Sequence, residues 1–552
     1  MPGGGRRSET AYGPTRGGDN VDQAPVLVVG AGPVGMTAAL ALARQGVACV
    51  LAEQGVETSA HPRLDYVNSR SMEFFRRLGV ADDIRRAGVA PEHRADVIWS
   101  TGLAGEPLTT WRLPSVTEER RRIAEHNDGT QPAEPGQRIS QTELEPVLRA
   151  HCRREPLIDL RCGLRFDTLT QDDDGVTSHL TDVTTGERTR LRSRYVIGCD
   201  GATSRVREVV GIGAEDFDVP GLPGAFMVHF KSRDLAALHR HGRFWHYFAF
   251  RYVLIAQDET DTWTAHVNGV TPDEFDTPPT DPAAFLRETL RTDLTIDKVL
   301  LTSRWRPGFM IADRYRAGRV LLAGDCAHRM FPTGAYGMNT GIGDAVDAAW
   351  KTAALVQGFG GPALLDSYPS ERRPVGLRNL HTSHRHLGVH LTAGALLRAG
   401  APLDAVAAHL DAERGENEYR GVELGYRYRD SPVICHEDTP EPHWSPGRYT
   451  PTTWPGGRPP GLLLDDGTPI LDRLAPSFTL VDFTGDGRAH PLLAEATAQG
   501  LPLSHTVITD THARELWERD LVLLRPDHHV AWRGNRPHPD PAAVIRRIRG
   551  AG

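Results

Sequence analysis

The feature that most narrows what this chain can fold into is residues 26–54, VLVVGAGPVGMTAALALARQGVACVLAEQ, where a β-branched apolar run meets a Gly-rich turn, an Ala/Leu-rich stretch and a second apolar run. Strand, helix and second strand within ~30 residues make one βαβ unit, which commits the chain to a parallel sheet covered by helices. In the turn, Gly30 suits the tight bend, Gly32 lets backbone approach a pyrophosphate, and Gly35 lets the helix pack on the strand. Pro33 and Val34 open that helix, whose unpaired N–H groups and partial positive charge favour phosphate. Glu53, followed by Gln54, closes the second strand 23 positions after Gly30. A carboxylate at that spacing meets an adenosine ribose hydroxyl and disfavours a 2′-phosphate. The unit implies a dinucleotide and leaves its identity open.

The remaining length bounds the setting. A chain of 552 residues is expected to form three to four units of ~150 residues, with clefts between them. Lys+Arg 63 against Asp+Glu 71 gives a net charge of −8, no electrostatic footprint for nucleic acid or an anionic membrane. Residues 1–23, rich in Gly, Arg and polar side chains, read as a disordered tail and not as a signal peptide. No segment approaches the ~18 uninterrupted apolar residues of a transmembrane helix, and a cytoplasmic location is expected. The six cysteines, Cys49, Cys152, Cys162, Cys199, Cys326 and Cys435, lack C-x-x-C spacing and read as small buried residues, with no metal site.

Two further segments narrow the dinucleotide. RYVIGCDGATSRVR, residues 194–207, is a strand ending on Asp200 and Gly201; the plain alternative is an Asp that caps the following helix. RVLLAGDCAHRMFPTGAYGMNTGIGDAVDAAWKTAALVQG, residues 319–358, runs from a buried strand ending on Asp325 through a turn-rich stretch into a helix. Both segments resemble those of the class A, para-hydroxybenzoate hydroxylase-like flavin monooxygenases. The second is similar to that family's G-D-x-A-H-x-x-x-P-x-x-G-x-G-x-N fingerprint, departing at Ala335 and Tyr336. Pro62, Arg63, Asn68, Arg70 and Ser71, Gln141, and Tyr368, Glu371, Arg372 and Pro374 extend the match.

The resemblance implies FAD as cofactor and NADPH or NADH as electron donor. Asp325 would accept from a ribityl hydroxyl, Arg63 and Gln141 would face the cofactor, and Asp200, with Ser204 and Arg207, would stand where FAD and the nicotinamide pass. The helix-start amides of Gly337, Met338 and Asn339 would meet the pyrimidine end of a flavin and stabilise its reduced anion. Pro332, Thr333 and Gly334 would border the place where oxygen reacts to give a flavin C4a-hydroperoxide, so the hard chemistry belongs to the cofactor. The implied activity is hydroxylation of a bulky phenolic or polycyclic aromatic molecule in natural-product biosynthesis, by a monomer or homodimer. Baeyer–Villiger or antibiotic-inactivating oxygenation on the same scaffold, and a non-catalytic flavoprotein that shelters an unstable intermediate, are the alternatives.

Residues 224–269 alternate apolar, aromatic and polar side chains and read as antiparallel strands roofing the flavin. His246, Phe248, Phe250 and Tyr252 are grouped on one face and Trp245 and Tyr247 on the other, with the inward face left open because a one-residue slip exchanges them. The first group, with Tyr336, forms the expected substrate contacts. His381, His384, His386 and His390 read as solvated or capping residues of a helix, and His328 as part of the fingerprint. HWSPGRYTPTTWPGGRPPG reads as a linker; the strand-and-helix segment beyond it, closest in RPDHHVAWRG (525–534), resembles the thioredoxin-like appendage of the larger class A members, the aromatic polyketide and indolocarbazole hydroxylases, and without C-x-x-C is structural or an interface.

The expected fold is therefore α/β: an FAD-binding Rossmann-like domain, an inserted antiparallel-sheet substrate domain and a thioredoxin-like domain. The expected spans are 24–200 for the first part of the FAD domain with substrate-domain residues about 90–125 interleaved, 201–310 for the middle sheet, 311–440 for the second part of the FAD domain and long helices, and 441–552 for the appendage.

Overall fold

The structure is a computed structural model that describes residues 15–16, 21–217, 224–270, 275–306 and 308–552. Its largest sheet has a parallel core in the order Val320–Leu322, Arg188–Gly198, Val21–Val29, Cys49–Glu53, Ile158–Cys162. These strands are apolar along their length because both faces are covered; Val26, Leu27, Val28, Val50 and Leu51 are fully buried. Helices Pro33–Arg44 and Tyr336–Gln357 pack against each other over the sheet, and Gln141–Arg154 packs beside the first. An antiparallel meander, Leu164–Gln171 and Val176–Asp182, grows from the long strand Arg188–Gly198. The central strand begins at Val21 and pairs with Thr15–Arg16, so ordered chain reaches into the span read as a disordered tail. Residues 1–14 and 17–20 lie outside the described set.

A second sheet of seven strands runs in the order Lys298–Trp305, Ala225–Lys231, Thr262–Val267, Tyr252–Ala256, His246–Ala249, Val97–Ser100, Pro107–Trp111. Its pairings are antiparallel except for His246–Ala249 with Val97–Ser100, two strands that meet from distant parts of the chain. One face packs on the domain's own core of Phe226, Val228, Phe230, Tyr247, Leu254 and Trp263. The other turns toward the 36-residue helix Ala363–Arg398, where Trp99 and Phe248 meet Val389 and Ala393.

The C-terminal sheet has the order Leu503–Val507, Phe478–Asp482, Leu521–Leu524, Val530–Gly534, with the first pair parallel and the others antiparallel. With helices His490–Ala498 and Pro541–Ile548 this is the thioredoxin-like arrangement. No cysteine lies beyond Cys435, so the arrangement carries no thiol chemistry. The Pro/Gly-rich stretch read as a linker is packed: Thr453, Trp454 and Arg458 are buried, and Arg458 Nε donates to Glu73 at 2.8 Å. A solvated linker would leave that buried carboxylate with less compensation. Three of the cysteines, Cys162, Cys199 and Cys435, are only partly buried, and all six are free thiols.

The C-terminal unit is pinned to the FAD domain by buried charge. Arg525 donates to both oxygens of Glu371 at 2.6 and 2.8 Å, to Asp347 at 3.0 Å and to Asp527 at 2.6 Å. Lys351 adds contacts to Asp347 at 2.7 Å and Glu371 at 2.6 Å. The three carboxylates lie close enough to share a cation, and Lys351 and Arg525 take that place.

Candidate active site

Three distant segments converge at the end of the parallel core. Gly30 has φ of 99° and lies so close to Cys199 that a Cβ would strike its carbonyl oxygen, which places the first turn beside Asp200. Gly324 abuts Val34 and Gly341, bringing the third segment to the same corner. Arg207 donates to the Cys326 carbonyl at 2.7 Å, tying the second and third together.

These residues fit FAD. A Cβ at Gly32 or Gly337 would meet nothing within 4 Å, so both helix starts border open space. Neither Pro33–Arg44 nor Tyr336–Gln357 has a side-chain cap, leaving first-turn amides for a pyrophosphate at one and a flavin pyrimidine at the other. Asp325 is exposed yet surrounded by protein, as a carboxylate facing an internal cleft must be, and burial pushes its pKa up. Its titration and that exposure agree once the cleft is counted as space for a ligand. Glu53 accepts from the Ala31 and Gly55 amides, both at 2.7 Å, holding the turn in shape with lone pairs left for a ribose.

The other expected cofactor residues are placed as follows. Gln54 and Arg63 are exposed. Gln141 is buried, with its amide nitrogen on Glu145 at 2.5 Å and its backbone N–H on the Leu64 carbonyl, beside Arg63. Asp200 uses both carboxylate oxygens within its own segment, accepting from Ser204 Oγ at 2.5 Å and from the Val206 amide at 2.9 Å, the helix-capping arrangement. Asn339 accepts from the Asn68 amide at 2.9 Å and donates to the Tyr66 carbonyl, so its side chain links the helix start to the 66–68 loop while its backbone stays at the helix mouth. His328 and Arg372 clamp Asp344 at 2.8 Å each, and Asp344 accepts from the Gly324 amide, fixing the turn that carries Asp325.

At the turn Pro332–Gly334, Pro332 is exposed to the cleft, Thr333 Oγ1 donates to the Ser383 carbonyl, and the Gly334 amide donates to Glu416 at 3.1 Å. The Gly334 N–H is thus engaged within the protein. Burial pushes the Glu416 carboxyl up, but His390 at 2.7 Å outweighs it and holds the pKa down to about 2. His390 also meets Trp99 and Phe248 edge-on, and His386 accepts from or donates to the Tyr336 hydroxyl at 3.2 Å. His386 and His390 are therefore inward-facing, contrary to the solvated reading; His381 and His384 are exposed. Tyr336, an expected substrate contact, opens helix Tyr336–Gln357 and is buried against His386 of helix Ala363–Arg398.

The inward sheet face is now fixed by register. Phe250 and Arg251 form a two-residue turn that sets Ala249 opposite Tyr252, and directly opposed residues share a face. Tyr252 consequently points into the domain's own core beside Tyr247, where its hydroxyl accepts from the Leu103 amide at 2.8 Å. It leaves the expected substrate group. Trp245 moves the other way: its Nε1 donates to Asp65 Oδ2 at 2.9 Å, and His246 Nε2 meets the same oxygen at 2.7 Å. Burial raises the Asp65 carboxyl, but His246, Trp245 and Arg138 together hold it below its usual range. The inward face carries His246 and Phe248 with Trp99, Val253, His266, Ser303 and Trp305. His61, from the loop before Arg63, reaches Ser303 Oγ at 2.7 Å, and Trp305 packs on Phe331 at 5.8 Å, so this face stands over the cofactor loops. Behind Trp245 and Tyr66 lies a cavity of about 380 Å³ that Arg138, Glu119 and Arg420 help to line.

Asp65 and His266 escaped the sequence reading. Asp65 lies between the motif residues Arg63 and Asn68, and His266 belongs to TWTAHV, where it falls on the opposite parity to the buried Trp263, Ala265 and Val267. That parity was the available signal.

Comparison with known proteins agrees with this geometry. The family described as FAD binding domain matches residues 23–383, and the family described as Aromatic-ring hydroxylase, C-terminal matches residues 452–551. The FAD-dependent monooxygenase apdD of Emericella nidulans is 38% identical, over 96% of this chain and 91% of that protein. The Tetracenomycin B2 monooxygenase-dioxygenase of Streptomyces olivaceus is 33% identical over 94% and 97%. The flavin-dependent monooxygenase PieE, solved in complex with FAD and substrate, superposes with a TM-score of 0.84 at 30% identity, over 96% of this chain and 99% of that one.

Proposed function

We propose, for a chain that belongs to the FAD-dependent aromatic-ring hydroxylases, that it hydroxylates a bulky polycyclic phenol in natural-product biosynthesis, using O2 and NADPH or NADH. The observation that carries the substrate class is the broad aromatic and imidazole face of the middle sheet, set over the loops at His61–Arg63 and Phe331–Gly334. A flat ring system matches such a face through stacking and edge contacts. The relatives point the same way: one is named for tetracenomycin B2, and PieE holds FAD and substrate together.

FAD, when bound, takes two electrons from the nicotinamide and activates oxygen for transfer. The chain's own residues prepare the place. The backbone N–H groups of Gly32 and Val34 and those of Gly337 and Met338 would hold the pyrophosphate and flavin ends, and Glu53 and Asp325 would face the ribose and ribityl hydroxyls. His328, Asp344 and Arg372 keep the Asp325 turn rigid. Asp65 fixes the His246 and Trp245 rings, and the sheet face above excludes water from the reacting edge. A phenol gains reactivity at its ring carbon by losing its proton. Among the described residues no helix is long and apolar enough to cross a membrane; within this reading the enzyme works in the cytoplasm, as a monomer or homodimer.

The test is to load purified protein with FAD and follow NADPH and NADH consumption against a panel of polycyclic phenols. Phenol-stimulated consumption with a hydroxylated product supports the reading. Cofactor-loaded protein that no phenol stimulates overturns it.

A further inference from the structure

His266 stands on the inward face, in the third of its seven strands, with Nδ1 engaged by Trp305. Trp305 Nε1 contacts its Nδ1 at 3.2 Å, and the rings meet edge-on at 5.8 Å. An indole N–H is a donor only, so Nδ1 is the acceptor and the proton of the neutral imidazole sits on Nε2. No hydrogen bond reaches Nε2 among the described residues, and the residue is half-buried. Its partner ring, Trp305, packs on Phe331, the residue before the Pro332–Gly334 turn. Cross-strand neighbours Met227 and Val253 flank it on the same face.

We propose that His266 orients the substrate by presenting a fixed Nε2–H donor to a phenolic or phenolate oxygen of the polycyclic ring system above the Phe331–Gly334 turn. The inference rests on the hydroxylase reading given above and adds to it the side chain that selects an oxygenated ring. Burial supports the assignment, lowering the His266 pKa to about 4, so that the ring remains neutral and the Trp305 hydrogen bond keeps its sense. The ordinary alternative is a core histidine whose whole role is to brace Trp305. The two differ in what they do to a ligand bearing a hydroxyl and to one lacking it.

The experiment uses the FAD-loaded full chain and two probes, 1-naphthol and naphthalene, titrated by flavin fluorescence and absorbance. Wild type is expected to bind 1-naphthol more tightly than naphthalene. His266→Phe, which keeps an aromatic ring and removes the donor, is expected to weaken 1-naphthol about tenfold while naphthalene and FAD affinity stay near wild type, with a lower melting temperature because the Trp305 N–H loses its acceptor. His266→Gln, with an amide donor, is expected to restore part of the difference. A preference for 1-naphthol that survives His266→Phe overturns the proposal alone. Equal weakening of both probes overturns it in favour of the bracing role. Wild type that binds both probes equally also overturns it, whereas wild type that binds neither removes the polycyclic-phenol reading along with it.

Discussion

Replacing Arg525 by Met should separate the C-terminal unit from the FAD domain energetically. In the wild type three buried carboxylates, Asp347, Glu371 and Asp527, share two cations, Lys351 and Arg525. The substitution preserves volume and apolar packing but leaves three acids facing one lysine. Removing one partner from a buried ion network costs about 3–5 kcal/mol, most of it the penalty of the charges left behind. At about 2 °C or more per kcal/mol for units of this size, melting should fall by roughly 6 °C or more. The loss should depend on pH in a defined direction. Burial, with Glu371 beside it, already pushes the Asp347 carboxyl up to about 7 against the pull of Lys351 and Arg525, and removing Arg525 raises it further. A carboxyl raised above its unfolded value binds its proton more tightly when folded, so stability returns on acidification toward pH 6 and is lost toward pH 8. Differential scanning fluorimetry between pH 6 and 8, read by intrinsic and flavin fluorescence, measures both effects. A melting temperature within about 1 °C of wild type, or a deficit that does not shrink at pH 6, would refute the account of this network.

Four further outcomes follow from local geometry. Gly32→Ala should fold normally, since its Cβ meets open space, and should weaken FAD at least about tenfold in a fluorescence titration; Gly35→Ala, whose Cβ would run into the Gly30 carbonyl, should lower melting by the equivalent of about 1–3 kcal/mol. Tyr252→Phe leaves the buried Leu103 amide unpaired and should cost about 1–3 kcal/mol in stability with the KM for a phenolic substrate unchanged, a changed KM being the contrary result. Asp65→Asn should release the His246 and Trp245 rings and lower the ratio of hydroxylated product to NADPH consumed, with FAD binding preserved; an unchanged ratio would deny Asp65 its orienting role.

The turns at the expected cofactor site were legible because their requirements are local. Gly30, Gly32 and Gly35 answer to turn geometry and close approach, and Asp325 to a strand end, all readable within one segment. The α/β class followed from the same kind of pattern, and the thioredoxin-like unit from resemblance. The substrate half was less legible because it depends on register. Tyr252 changed faces through a two-residue turn, and Trp245 joined the inward side through Asp65, a partner 180 residues away in the chain. His386 and His390 on helix Ala363–Arg398 looked solvated because their partners, Tyr336 and Glu416, arrive from other elements. The packing of residues 452–458 was hidden for a related reason: Pro and Gly mark chain reversals equally well in a linker and in a buried strap. Glu73, which receives Arg458, carries no sequence signal of that role.

The central claim is transfer of one oxygen atom from O2 to an aromatic ring within this cleft. Turnover of a polycyclic phenol by the FAD-loaded enzyme and NADPH under 18O2, followed by mass spectrometry, tests it most directly. The account expects a product heavier by one 18O atom, with about one NADPH consumed per product. Product oxygen drawn from water, or phenol-stimulated NADPH consumption that leaves the ring unlabelled, would contradict it.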